Sequence, residues 1–158
     1  MNKLVTFGDS FLAQRVYYKE LEPTSWIDMV CQKNNFTLDG YGDAATGPYN
    51  AIFNFLNYRE DFDRHLQKNY KDKKFIHFYC FEINHKGFYP HMFEHGINIK
   101  PCLNDFSNIG DKKEYKNNDP RLLHMIPKVH KLFAKQLNKV LKDKSLNNGD
   151  VVEFSLEI

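Results

Sequence analysis

Lys3-Leu4-Val5-Thr6-Phe7-Gly8-Asp9-Ser10-Phe11 lies near the start of the 158-residue chain, and its reading governs everything after it. Leu4 to Phe7 are apolar or β-branched, the composition of a short buried strand, and the run stops at a glycine. An acid and a serine follow at once. A strand fixed in a core that then turns sharply presents a hydroxyl at its carboxyl end, which is how a fold offers a nucleophile. A helix beginning there would aim its positive end at the same place. Taken alone, Gly8-Asp9-Ser10 also suits an ordinary turn. The decision rests on whether the remaining residues supply partners for Ser10.

Downstream, the spacing alternates between helix and strand. Apolar residues Trp26, Ile27, Val30 and Cys31 recur at helical intervals behind Thr24 or Ser25 as N-cap, and Asn34-Asn35 closes that helix. Phe36 to Gly40 reads as a second strand. A loop of small residues, Tyr41 to Gly47, leads to Pro48, suited to a first helical position, and Ala51, Ile52, Phe55 and Leu56 form one apolar face beyond it. The run Phe75 to Phe81 is the strongest continuous apolar stretch and reads as a central strand buried on both faces. From Lys86 to Asn118 the pattern reads as irregular, broken by Gly87, Pro90, Gly96, Pro101 and Gly110.

Val129, Phe133, Leu137, Val140 and Leu141 then make the apolar stripe of a long helix. Asn148-Gly149 is a turn. From Asp150 to Ile158, Val152, Phe154, Leu156 and Ile158 alternate with Val151, Glu153, Ser155 and Glu157, as in a half-buried edge strand. Strands alternating with helices predict one α/β domain over residues 1–158, with a small, mainly parallel sheet whose site lies outside the strands' carboxyl ends.

Composition narrows the function classes. A formal net charge of +2 with both signs interspersed does not predict a nucleic-acid surface. No apolar run reaches membrane-spanning length, and the apolar start is too short for a signal peptide, so no membrane partner and a cytoplasmic location are expected. Cys31, Cys80 and Cys102 lack CxxC spacing and are odd in number, against a disulfide framework. His85, His91 and His95 invite a metal reading, but Gly87 and Pro90 interrupt any shared helical face. No metal and no cofactor are expected.

With Gly8-Asp9-Ser10 at the end of a first strand and His124, Pro127, His130 and Ala134 around the start of the last long helix, the sequence resembles the SGNH (GDSL-like) hydrolases, in particular their compact phage-encoded members. The resemblance implies a three-layer, flavodoxin-like α/β sandwich and a serine esterase. It makes Ser10 the nucleophile and His124 the general base, with the amides of Ser10 and Gly42 and the side chain of Asn84 as oxyanion donors. Arg121 stands where the family carries its aspartate, and Asp119 is the acid nearest to it. Glu82 and His85 replace two further family residues around Asn84. The implied substrate is a small ester or an acylated carbohydrate. The alternative is a non-catalytic binding or structural protein of the same fold, for instance in a viral particle.

Overall fold

The computed structural model describes residues 2–8, 11, 25–42, 50–51, 53–54, 74, 76–78, 96–111 and 124–158. They belong to two compact units, Met1–Lys73 and Lys74–Ile158. Each mixes helices with parallel strands, so the chain is of α/β type.

In the first unit, β1 (Asn2–Gly8) pairs in parallel with β2 (Phe36–Gly42), in a register that joins Asn2 to Phe36 and Gly8 to Gly42. Parallel neighbours need a crossover, and α1 (Trp26–Asn34) lies within it and against β2. Ser25 is the N-cap: its hydroxyl accepts from the Asp28 amide at 3.3 Å and donates to the Asp28 carboxylate at 3.0 Å. Asn35 ends the helix in the left-handed region at φ 53°, its amide bonding to the Cys31 and Gln32 carbonyls. Trp26, Ile27 and Val30 are at most 1% exposed and supply the apolar burial that holds the helix down. Both ends of α1 fall where cap and stripe placed them. Residues 50, 51, 53 and 54 are helical. Ala51 is half-buried, whereas Phe53, off the expected apolar face, is exposed.

The second unit holds a three-stranded parallel sheet in the order β3 (Ile76–His77), β4 (Ile97–Lys100), β5 (Val151–Glu153). Between β4 and β5 run a short helix, α2 (Leu103–Ser107), and the long α3 (Pro127–Lys142). Of the run expected as the buried central strand, Ile76, His77 and Phe78 are half-buried and the remainder lies outside the described residues. Within this sheet the middle place belongs to β4, whose Ile97, Asn98 and Ile99 are at most 2% exposed.

The irregular stretch is thus corrected over residues 96–111, where β4 and α2 are regular. Four strand residues and a one-turn helix are too short to show a period, and the cis Lys100–Pro101 bond stands between them. The buried Asn98 amide donates to the carbonyls of Gly96 at 3.3 Å and Asp150 at 3.4 Å, which makes a polar residue tolerable in the middle strand.

α3 begins with Pro127 at its first position and buries Val129, His130, Phe133, Ala134, Leu137 and Val140. Leu141, placed in the stripe by sequence, is half-buried. Phe133 is the hub of an aromatic cluster: its ring centroid lies 5.1 Å from Phe106, 5.3 Å from Phe154 and 5.4 Å from Phe78. The final alternation holds only in part. Phe154 is buried and Val152 half-buried, but Leu156 and Ile158 are exposed, because ladder pairing ends with Glu153 and the Phe154 amide's bond to Lys100.

Candidate functional site

Of the residues nominated by sequence, Gly42 and His124 are described. In the first unit β1 ends at Gly8 and the chain is helical at Phe11, which is 7% exposed. Two residues, Asp9 and Ser10, lie between them in the sequence. Ser10 itself lies outside the described residues. So do Asn84, Asp119, Arg121, His85, His91 and His95.

Gly42 is described. The register sets it beside Gly8, so the last residues of both strands are glycines abreast of one another at the carboxyl edge. Neither adds a side chain there, and Gly8 is buried. Gly42 is therefore a strand-end neighbour of the residue two places before Ser10.

His124 opens the last described segment. It is 8% exposed, its Nδ1 atom is buried, and Met125 and Ile126 after it are at most 1% exposed. A histidine held this closely cannot swing freely, and of its two ring nitrogens the buried one is closed to solvent. His130 and Ala134, six and ten residues on, are 3% and 4% exposed on the inner face of α3, where they pack.

The direction of α3 fixes which edge His124 occupies. Lys74, two residues before β3, sends its ammonium to the Val140 carbonyl at 2.7 Å and the Asp143 carbonyl at 2.6 Å. The carboxyl end of α3 therefore lies at the amino end of β3, and the helix runs antiparallel to the sheet. A positive charge on those last carbonyls also complements the helix dipole. It follows that the amino end of α3, with His124, stands at the carboxyl edge of the β3–β4–β5 sheet. Open α/β sheets place their ligands at that edge.

Charge elsewhere in the second unit is local. The Ser145 hydroxyl and amide donate to Asp143 at 2.6 and 2.8 Å and, with Lys74 nearby, hold its carboxyl below the usual carboxylate range. A groove of about 200 Å³ lies over Val140, Leu146, Val152 and Phe154, bordered by Gln136, Lys139 and Asp143. It contains none of the residues nominated by sequence. Among the described residues no group of three His, Cys, Asp or Glu side chains is placed to hold a metal ion. Among them, too, no helix is long and apolar enough to cross a membrane. Among the described residues Cys31, buried, and Cys102, half-buried, form no disulfide.

Sequence reading passed over Asp105, whose carboxylate accepts from the Cys102 amide at 3.2 Å just after the carboxyl end of β4. The signal was present as an acid three residues after a cap position, masked by a cap residue, cysteine, outside the usual set. No family model matches the chain, and no curated protein or solved structure matches it.

Proposed function

We propose that the protein is a serine esterase of the SGNH type, with the three-layer sandwich of that family as the finer description of its fold. The observation that carries the reading is positional. Gly8 and Gly42 end parallel strands side by side just before Ser10, and His124 stands at the carboxyl edge of the second parallel sheet. Each unit by itself thus carries a nominated residue at or next to a strand's carboxyl end, the edge at which α/β enzymes work.

A serine hydroxyl is a weak nucleophile at neutral pH unless a base takes its proton during attack. In this reading Ser10 Oγ bonds to the ester carbonyl carbon as His124 accepts the hydroxyl proton. Nδ1 is buried, so the transfer is assigned to Nε2 in this reading. The electron pair displaced onto the carbonyl oxygen is met by the Ser10 and Gly42 amides and the Asn84 amide group; one such donor supplies about 3–4 kcal/mol. Collapse breaks the bond to the alcohol, which leaves with the proton from His124. Water then gives its proton to His124, adds to the acyl group and frees the carboxylic acid, restoring Ser10. No step needs a metal or cofactor, and Asp119 is the acid assigned to hold the imidazole.

The test compares the protein with Ser10→Ala on short-chain nitrophenyl esters and acetylated sugars. Hydrolysis by the parent at a rate well above buffer, with the variant at the buffer rate, is the expected outcome. Equal rates remove Ser10 from the chemistry. Arg121, in place of the family's aspartate, favours one rival: a binding or structural protein that keeps the fold without the reaction. Failure of a fluorophosphonate probe to label Ser10 would select it.

A further inference from the structure

We propose that residues 155–158 form a strap that holds the His124–Ile126 segment in place, with Gln136 and Ile158 as positioning residues for the candidate base. The inference rests on the esterase reading for its meaning but not for its geometry. After β5 the chain leaves the ladder, and Gln136 on α3 takes over as its partner. The Gln136 amide nitrogen donates to the Ser155 carbonyl at 2.8 Å, and the Ser155 amide donates to Gln136 Oε1 at 2.7 Å. One side chain thereby reproduces both hydrogen bonds of a neighbouring strand, so the segment is docked on α3 at a defined register. The Glu157 amide turns back to the Ser155 hydroxyl at 3.2 Å.

Ile158 then reaches Gly110, beside which the Ile126 side chain also lies. Gly110 has φ +83°, and a Cβ built on it would meet Ile158 Cδ1 at 3.4 Å and collide with Ile126 Cδ1. Ile126 and Ile158 thus converge on one bare backbone position, Ile126 at 1% and Ile158 at 60% exposure. Ile126 is the N-cap residue of α3, its carbonyl accepts the His130 amide at 3.0 Å, and it stands two residues after His124. An exposed isoleucine gains little from burial, so its place over Gly110 is understood as bracing its neighbour. A base displaced by a fraction of an ångström loses rate while substrate binding is spared.

The experiment uses the whole chain with Gln136→Ala, Ile158→Ser and Ile158→Val, and reads amide hydrogen exchange at Ser155 and His130 together with kcat and KM on nitrophenyl acetate. Release of the strap is expected to speed exchange at both amides by roughly tenfold or more in the first two variants. On the same substrate kcat falls about fivefold with KM within about twofold, and Ile158→Val recovers most of the loss. Faster exchange at Ser155 with His130 unchanged in both variants overturns the strap, because the clamp would then have opened without loosening the base's segment. If the parent protein hydrolyses no ester, the esterase reading fails, and exchange at His130 alone decides the strap.

Discussion

Thr6 illustrates what a single polar atom does in a parallel strand. It is 7% exposed, it pairs in register with Gly40, and its hydroxyl lies 3.5 Å from where a Gly40 Cβ would stand. Among the described residues that hydroxyl has no hydrogen-bond partner. A buried unpartnered hydroxyl forfeits its bonds to water without replacement. Thr6→Val keeps the β-branched shape and is expected to raise the stability of the first unit by roughly 1 kcal/mol. A urea titration followed by far-ultraviolet circular dichroism reads this as a higher midpoint; a lower midpoint would mean that the hydroxyl is engaged. At this scale the sequence was informative about type and silent about partners. Gly8 was legible because it terminates an apolar run; Gly42, expected in the loop after a strand ending at Gly40, lies instead at the end of β2, and His124 was nominated by the resemblance alone. The bonds of Asn98 were not, since they reach Asp150 across α3.

α1 answered to its cap and stripe and α3 to its stripe, and the end of α3 carries a measurable electrostatic consequence. Asp143 closes α3, bound by Ser145 and approached by Lys74, with its carboxyl held below the ordinary value of 3.8. A carboxyl lowered in the folded state favours folding above its unfolded pKa, and that contribution disappears as the pH falls through the folded one. The stability difference between the parent and Asp143→Asn is therefore expected to be constant near neutrality and to shrink in acid, below the usual carboxylate range. Carbon-13 titration of the carboxyl group, with thermal unfolding at matched pH values, checks both the direction and the window. α1 and α3 were readable from sequence because nine and sixteen residues give a period time to repeat. β4 and α2 were not, at four and five residues among glycines and prolines. The docking of Ser155 on Gln136 was hidden for another reason: a side chain serving as a strand leaves no periodic trace.

Each unit keeps its own core. In the second, Phe133 joins α3 to α2 through Phe106, to the chain after β5 through Phe154, and to the chain after β3 through Phe78. Phe133→Ala removes the shared partner of three rings and is expected to cost about 3–5 kcal/mol, a large share of a small domain's stability. Calorimetry of the variant beside Phe133→Leu separates loss of volume from loss of ring geometry; the leucine variant should recover most of the stability. The α/β class followed from the alternation of runs, because helix and strand periods differ and each run is bounded by caps or glycines. Pairing order did not follow, because parallel registers are set by contacts between distant segments. The sheet of the second unit has a temporal consequence. β4 pairs with β5 only after all of α3 has been traversed, so Ile97 and Ile99 acquire their second neighbour late. On a ribosome the middle strand would emerge with one edge bare while more than fifty further residues are made, an interval in which chaperones rather than the native partner must guard it.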